Sequence, residues 1–298
     1  MKPILYGAAL AAALAAPAFS QDVSVSSYAG EVAAPANPEK VVVFDIAAAD
    51  TLTALGANID GLPDPYYVDY LADVAANAET VGTLFEPDFE KLATMAPGLI
   101  VAGGRSSAQV EALSAIAPTI DMTIWGENMI DQTRDRIDAY GAIFGLEDKA
   151  AELDAALDAK IEEARAAVSG KGNGMIVLTN GGKISAYGDD SRFGWIHQAT
   201  GLPEAFPDLT AETHGEAISF EFIAEVNPDW LLVIDRGAAI GQAGEAAAAT
   251  LDNPLVAGTT AGQQGQIVYL SPGPIYIAGG GVTSMTTTLD EIIAAFNG

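Results

Sequence analysis

Two stretches of this sequence follow one pattern, FEKLATMAPGLIVAGGR at Phe89–Arg105 and FEFIAEVNPDWLLVIDR at Phe220–Arg236. Aligned without a gap, they share Phe, Glu, Ala and Pro at equal positions, and both end in Arg. Each stretch predicts a short helix, a proline stop and a buried strand whose end carries an arginine. Helix, proline and strand is a common order in α/β proteins, so chance similarity is the alternative. The matching Glu and Arg favour a structural duplication.

The other apolar runs place these repeats in an α/β fold with mostly parallel central sheets. VVVFDI at Val41–Ile46 and MIVLTN at Met175–Asn180 are continuous apolar runs, which are typical of strands buried in a parallel sheet. Between the two halves, the pattern from Met129 to Val168 is helical, with an interruption near Gly145. We therefore expect an N-terminal α/β lobe over 41–128, a helical segment with one long bridging helix over 129–170, and a C-terminal α/β lobe over 171–298.

The first residues have the features of an export signal. Lys2 precedes an apolar run over 4–16 that is too short to span a bilayer, and small residues follow up to Ser20. We expect residues 1–20 to be a cleaved signal peptide and residues 21–40 to be a polar leader into the fold. The chain has no Cys, which excludes a lipid anchor on an N-terminal cysteine, disulfides and thiolate chemistry. The expected location is the periplasm.

The net charge of −27 argues against nucleic acid and anionic membrane surfaces as partners and makes the six arginines conspicuous. Three of them lie in the helical middle, where a solvated face explains them: Arg134, Arg136 and Arg165. The other three follow strands, where ligands bind in open α/β sheets: Arg105, Arg192 and Arg236. If the lobes face each other, these guanidinium groups form a trap for a polyanion. Three separate surface salt bridges are the alternative.

Few other residues are candidates for chemistry. His197 lies within a predicted helix and is expected to be structural, whereas His214 lies in a polar loop and Tyr276 lies beside Pro274 in another. A solvated histidine and a packed tyrosine are the alternatives, but the pair would suit ferric iron. Glu90 and Glu221 occupy equal places in the two repeats, which suits paired surface contacts better than acid–base catalysis. No nucleophile elbow, Walker loop or zinc-protease motif is present, so no enzyme is predicted.

Taken together, these residues resemble the periplasmic siderophore-binding proteins of ABC importers, in particular the enterochelin/petrobactin-type catecholate group. The resemblance extends over most of the chain after residue 40, in order. Besides the region 276–279, the matching segments are VVVFDIAAADTLTALG, DFEKLATMAPGLIVAGGRSS, AIAPT, SRFGWIHQATG, THGEAISFEFIAEVNPDWLLVIDRGAAIG and LDNPLVAGTTAGQQGQIVYL. It implies two α/β lobes bridged by one long helix, as in class III periplasmic binding proteins, with a shallow cleft.

The resemblance also implies roles for individual residues. The family's three ligand-binding arginines fall at Arg105, Arg192 and Arg236. His214 and Tyr276 fall where that group completes the coordination of iron when the siderophore supplies only four oxygens. Glu90 and Glu221 fall where glutamates at the lobe tips pair with arginines of the permease dimer.

The function expected from this resemblance is a non-enzymatic, monomeric receptor. It would capture an anionic ferric siderophore in the periplasm, with no permanent cofactor, and deliver it to an inner-membrane ABC permease and ATPase. The same fold holding haem, cobalamin or a hydroxamate siderophore is one alternative, and an exported α/β hydrolase is another. Two segments look particular to this chain, namely the loop Pro272–Ile275 and the tyrosine-rich stretch after Pro63.

Overall fold

A computed structural model of the chain describes residues 22–126, 128–209, 215–244 and 246–298. The strands are β1 (Asp22–Ser27), β2 (Gly30–Pro35), β3 (Val41–Val43), β4 (Gly61–Leu62), β5 (Glu79–Thr80), β6 (Leu99–Ala102), β7 (Thr119–Asp121), β8 (Gly174–Asn180), β9 (Lys183–Tyr187), β10 (Glu216–Ile218), β11 (Trp230–Asp235) and β12 (Ile267–Tyr269). The α-helices are α1 (Ile46–Leu55), α2 (Ala72–Asn77), α3 (Phe89–Met95), α4 (Val110–Ser114), α5 (Met129–Phe144), α6 (Glu147–Val168), α7 (Trp195–Thr200), α8 (Phe220–Val226), α9 (Arg236–Ala239), α10 (Ala247–Thr250), α11 (Pro254–Ala257), α12 (Thr260–Gln264), α13 (Pro272–Ile277) and α14 (Val282–Asn297).

Two five-stranded sheets organise the molecule. The first has the order β5-β4-β3-β6-β7 and is parallel throughout. The second has the order β10-β9-β8-β11-β12, with β8, β11 and β12 parallel and β9 and β10 antiparallel. We call the first sheet and its helices the N-terminal lobe, and the second sheet and its helices the C-terminal lobe. The predicted α/β fold with mostly parallel sheets is confirmed. The second sheet, unlike the first, contains two antiparallel strands, β9 and β10.

Both sheets are buried on both faces, as their unbroken apolar strands predict. In β6, Leu99 and Val101 pack into one apolar cluster, while Ile100 and Ala102 pack into another on the opposite face. The same alternation divides β8 and β11 between two clusters in the C-terminal lobe. Successive side chains of a strand point to opposite faces, so each sheet is enclosed by two helical layers.

Long helices connect the lobes on one side. The left-handed Gly145 (φ 63°) ends α5, and α6 then runs for 22 residues. Helix α14 belongs to both cores, because Val282 packs with the N-terminal lobe whereas Met285 and Leu289 pack with the C-terminal lobe. Helix α6 packs against both α1 and α14. The helical pattern from Met129 to Val168, with its interruption near Gly145, thus corresponds to the two helices α5 and α6.

The two repeats have matching structures. Helices α3 and α8 are each seven residues long, with side-chain N-caps from Asp88 and Ser219. Each helix ends on a residue with left-handed backbone, Ala96 (φ 49°) or Asn227 (φ 50°), and a proline and a buried strand follow. This agreement extends to the backbone conformation of the caps, so the predicted duplication is confirmed.

Three segments differ from their predicted structure. The strand predicted over Val41–Ile46 ends at Val43, because the Asp45 carboxylate accepts a hydrogen bond from Ala47 N (3.1 Å) and begins α1. Residues 22–35 form the hairpin β1-β2 rather than a leader, and Val25 and Ala34 are buried. Pro272–Ile275 and Tyr276 belong to the short helix α13 rather than to a loop.

Arg136 is expected from the sequence on a solvated face, and this prediction is wrong. Its side chain is buried inside the N-terminal lobe. The guanidinium donates hydrogen bonds to three carbonyl oxygens, of Met122 (3.2 Å), Thr123 (3.1 Å) and Ser26 (3.0 Å). Arg136 therefore joins the hairpin β1-β2 to the segment after β7, which leads into the cleft described below.

The predicted signal peptide, residues 1–20, lies outside the described residues. Among the residues that the structure does describe, no helix has both the length and the apolarity needed to cross a bilayer.

Candidate functional site

A cavity of about 550 Å³ lies where the ends of the strands of both lobes meet. The side chains that line it include Arg105, Arg192, Arg236 and Tyr276. We refer to the three arginines as the arginine cluster. Their hydrogen bonds with described residues go to carbonyl, phenol and amide oxygens rather than to carboxylates. The structure brings the three arginines to one cleft, and among the described residues none of them forms a salt bridge.

Tyr276 is the common contact of the arginine cluster. Its carbonyl oxygen accepts hydrogen bonds from Arg105 Nη2 (2.8 Å) and Arg192 Nη2 (3.0 Å), and its phenol oxygen accepts one from Arg236 Nε (3.0 Å). The Cζ atoms of Arg105, Arg192 and Arg236 lie 5.3, 4.7 and 6.0 Å from the centre of the Tyr276 ring. An aromatic ring attracts cations to its face, so Tyr276 helps three like charges to share one cavity.

Arg105 reaches the other lobe because of the glycine pair before it. A Cβ atom on Gly103 would lie 2.7 Å from Asp45 Oδ2 and 2.9 Å from Thr123 N, so only glycine fits there. Gly104 adopts left-handed backbone (φ 53°), and its N–H donates to Thr123 Oγ1 (2.8 Å). From this turn, the Arg105 guanidinium extends to the carbonyls of Tyr276 and Ile277 in α13.

Arg192 and Arg236 are placed by tight turns of the C-terminal lobe. Arg192 follows β9 in a turn closed by the hydrogen bond from Ser191 Oγ to the Gly188 carbonyl (2.6 Å). Arg236 is the first residue of α9, directly after β11, and Asp235 caps this helix by accepting from Ala238 N (2.9 Å). Both arginines thus follow strands, as the sequence predicts.

Burial gives the charges of the arginine cluster a desolvation cost, which a bound anion would offset. Burial lowers the pKa of both Arg105 and Arg192, and the charge of Arg105 lowers that of Arg192 further. A guanidinium carries more N–H donors than the contacts with described residues engage. The cluster can therefore offer charge-assisted hydrogen bonds to an anion in the cavity.

The floor of the cavity contains one buried carboxylate, Asp45. Burial raises its pKa to about 6, although its bond from Ala47 N and the charges of Arg105 and Arg136 act in the opposite direction. Sequence reasoning misses this residue because the apolar run VVVFDI is interpreted as one strand. The signal is nevertheless present, since a polar residue between a buried strand and a helix lies at the edge of the sheet where ligands bind.

Aromatic side chains of the N-terminal lobe also line the cavity. They are Tyr28, Phe85 and Trp125, whose exposed fractions are 58%, 57% and 43%. Sequence reasoning does not group them, because they come from three distant segments. The Cζ atom of Arg192 lies 5.7 Å from the Trp125 ring centre, so one of these aromatics contacts the arginine cluster across the cleft.

Of the two predicted iron ligands, only Tyr276 can be placed. His214 lies outside the described residues. His197 is buried, its Nδ1 lies 2.8 Å from the Leu202 carbonyl oxygen, and burial lowers its pKa, so its predicted structural role is confirmed. No cluster of three or more His, Asp or Glu side chains that could hold a metal ion occurs among the described residues.

Glu90 and Glu221 occupy equal positions on the two lobes. Each lies in the first turn of its repeat helix, α3 or α8, and each is exposed. Hydrogen bonds from its own backbone N–H and from Ser219 lower the pKa of Glu221. Neither glutamate lines the cavity, so these carboxylates are available for a contact outside it.

Known proteins share both the sequence pattern and the fold. The family model described as "Periplasmic binding protein" matches residues 41–273. Petrobactin-binding protein YclQ of Bacillus subtilis is 37% identical over 262 residues, which cover 87% of this chain and 82% of that protein. Ferric-anguibactin-binding protein FatB of Vibrio anguillarum is 28% identical over 274 residues, which cover 90% of this chain and 85% of that protein.

Solved structures give the same result. The crystal structure of YclQ superposes with a TM-score of 0.87 and 34% identity, over 93% of this chain and 99% of that one. The catecholate-siderophore-binding protein VctP of Vibrio cholerae superposes with a TM-score of 0.84 and 31% identity, over 92% and 100% of the two chains. The family model over residues 41–273 and the 37% identity with YclQ over most of both chains show that this chain belongs to the periplasmic binding protein family.

Proposed function

We propose that this protein captures an anionic ferric siderophore of the catecholate type in the interlobe cleft and delivers it to an inner-membrane ABC importer. The observation that carries the proposal is the convergence of Arg105, Arg192 and Arg236 around Tyr276. A ferric catecholate is a polyanion with aromatic faces, and guanidinium groups both neutralise such an anion and stack on its rings. The cavity of about 550 Å³ is within the range of small-molecule sites.

The relatives support this ligand class over the alternatives. Petrobactin, anguibactin and catecholate siderophores are named for YclQ, FatB and VctP. Cobalamin and neutral hydroxamate chelates are less suited to three cationic groups, because they lack a comparable negative charge, and the names of these relatives do not include haem. An exported hydrolase is not favoured, because the matched family consists of binding proteins. We propose a monomeric receptor without catalytic activity or a permanent cofactor.

We further propose that His214 and Tyr276 complete the coordination of iron when the chelate supplies only four oxygens. The Tyr276 phenol accepts a hydrogen bond from Arg236 Nε (3.0 Å). The same guanidinium would stabilise a phenolate bound to iron, since a neighbouring cation favours the anionic form. Glu90 and Glu221 are the proposed contacts with the permease.

The proposed location is the periplasm, after removal of residues 1–20. The proposed lobe boundaries are those expected from the sequence, with the N-terminal lobe over 41–128, the helical segment over 129–170 and the C-terminal lobe over 171–298. The hairpin β1-β2 then belongs structurally to the N-terminal lobe, through Arg136.

Fluorescence titration tests the ligand class. Trp125 lines the cavity, whereas Trp195 and Trp230 are buried, so a ferric chelate in the cleft should quench Trp125 first. We expect quenching by ferric tetradentate and hexadentate catecholates and little by a neutral ferric hydroxamate. Arg105→Ala, Arg192→Ala and Arg236→Ala should each weaken catecholate binding by about 30-fold or more, because truncating one partner of a buried charge pair costs ~2 kcal/mol or more.

Arg134→Ala is the matched control, because Arg134 lies outside the cavity and pairs with Asp131, Asp154 and Asp158. It should leave binding unchanged. The proposal fails if no ferric catecholate of either denticity binds to the unmodified protein.

A further inference from the structure

The two walls of the cavity differ in chemistry. The C-terminal lobe contributes Arg192, Arg236 and Tyr276, whereas the N-terminal lobe contributes Arg105 and three exposed aromatic residues, Tyr28, Phe85 and Trp125. We call the latter three the aromatic wall. Other exposed large apolar side chains, such as Phe89, Leu255 and Tyr269, do not line the cavity. Single exposed apolar residues are ordinary, but three aromatic residues around one cavity form the kind of patch that marks a binding site.

The backbone at Tyr28 is fixed although its side chain is exposed. Tyr28 lies in the turn between β1 and β2, and its N–H donates to the Asp121 carbonyl (2.9 Å). The Ser27 hydroxyl closes the turn by donating to the Gly30 carbonyl (2.7 Å), and Arg136 holds the neighbouring Ser26 carbonyl. The buried arginine therefore secures the hairpin that carries the first residue of the aromatic wall.

Phe85 and Trp125 are fixed in the same way. Phe85 N–H donates to Thr83 Oγ1 (3.2 Å), and the Phe85 carbonyl accepts from Gln109 Nε2 (3.0 Å). Trp125 N–H donates to Gln132 Oε1 (3.1 Å), and the Trp125 carbonyl accepts from Gln132 Nε2 (2.9 Å). Three separate segments thus hold three aromatic residues at the cavity, which lowers the entropy lost when a ligand contacts them.

We propose that the aromatic wall makes the cleft selective for chelates whose iron-binding groups are aryl rings over aliphatic chelates of equal charge. This inference rests on the proposed function and specifies its ligand chemistry. The arginine cluster binds an anion through its negative charge, and a catecholate and an aliphatic chelate can carry the same charge. The cluster therefore cannot distinguish the two by charge. Aromatic faces add offset-stacked and edge-to-face contacts that only a ring provides. Charge is therefore recognised by the arginine cluster, to which both lobes contribute, and ring chemistry by the aromatic wall of the N-terminal lobe.

Two trianionic complexes test the wall by isothermal titration calorimetry, namely the ferric complex of a hexadentate tricatecholate and tris(oxalato)chromate(III). They share net charge and octahedral geometry, and only the first has aryl rings. We expect the unmodified protein to bind both, the tricatecholate more tightly. Tyr28→Ala, Phe85→Ala and Trp125→Ala should each weaken the tricatecholate about tenfold and the oxalate complex less than about twofold. Tyr28→Phe and Trp125→Phe should retain most of the affinity.

Phe89→Ala and Tyr269→Ala are the matched controls, since they remove exposed aromatic side chains away from the cavity. They should change neither affinity. Equal losses for both complexes in the wall variants, or no loss for either, would overturn the inference while the proposed function stands. Failure of the unmodified protein to bind the tricatecholate would instead reject the proposed function. Thermal melts of each variant identify a loss that arises from misfolding.

Discussion

Asp45 is the single residue whose chemistry differs most from its sequence-based interpretation. It caps α1, lines the cavity and faces Arg105, Asp121 and Arg136, with Tyr140 also nearby. Because its pKa in the folded protein is about 6, compared with an ordinary value of 3.8, the folded state holds this proton more tightly than the unfolded chain. Its stabilising contribution is therefore present at low pH and is lost as pH rises through about 6.

We predict that Asp45→Asn removes this pH dependence. Asparagine keeps a side-chain oxygen that can cap α1 but does not titrate. The stability of the variant relative to the unmodified protein should increase by at most about 3 kcal/mol between pH 4 and pH 7.5, from a shift of roughly two pKa units. Urea unfolding at both pH values measures this difference, and a difference that does not change with pH would contradict the assignment. At pH 7.5 the variant should also bind an anionic chelate more tightly.

Among the secondary-structure elements, α13 has the most consequential position. Gly273 packs so closely on the N-terminal lobe that a Cβ atom would lie 2.7 Å from the Tyr67 carbonyl oxygen and 3.3 Å from Val68 Cγ1. Nearby, the Asp50 carboxylate of α1 accepts from Tyr70 Oη (2.6 Å) and from the first turn of α14. The two segments that looked particular to this chain thus lie at one contact between the lobes, next to Tyr276.

We predict that Gly273→Ala weakens catecholate binding about tenfold and destabilises the fold by ~1–3 kcal/mol. The added methyl group overpacks the contact with the Tyr67 backbone and displaces α13, whose carbonyls hold Arg105 and Arg192. Gly244→Ala is the matched control, since a methyl group added there would have nothing within 4 Å and the backbone of Gly244 is not left-handed. Calorimetry and thermal unfolding measure both effects. Equal behaviour of the two variants would show that α13 is not held by this contact.

The elements that sequence predicts well are those with local signals. The repeat helices, their proline stops and the strand over Leu99–Ala102 follow from periodicity, and the arginines after the strands follow from sheet topology. The hairpin β1-β2 is not predicted, because its polar residues and Pro35 obscure the alternation of Val23 and Val25 with polar neighbours. The burial of Arg136 and the grouping of the aromatic wall depend on contacts between segments that are distant in the sequence. The local pattern of apolar residues carries no information about such contacts.

At the scale of the whole molecule, the duplication gives the two lobes equal outward-facing helices. Glu90 and Glu221 are exposed in their first turns, and each lobe therefore presents one carboxylate in an equivalent structural setting. A paired arrangement of this kind fits a partner that also has two equivalent halves, as a dimeric permease does. The inner surfaces of the same lobes differ in chemistry, which suits one asymmetric ligand.

We predict that Glu90→Lys and Glu221→Lys leave chelate affinity within about twofold and lower delivery to the importer about tenfold, because rim charges govern partner encounter and register. Uptake of the ferric chelate through the cognate permease measures delivery, and calorimetry measures affinity. Glu111→Lys, at an exposed position on α4, is the control for the change in net charge. Loss of chelate binding in the Glu90 or Glu221 variants would place these residues in the ligand site instead.

In the proposed function, the arginine cluster and Tyr276 enclose the iron chelate. The most direct measurement is an anomalous difference map at the iron absorption edge from crystals grown with a ferric tetradentate catecholate. We predict one iron peak in the cleft, within coordination distance of Tyr276 Oη, with chelate oxygens hydrogen-bonded to Arg105, Arg192 and Arg236. An iron peak outside this cleft, with Arg105 and Arg192 still hydrogen-bonded to the carbonyls of α13, would contradict the proposed function.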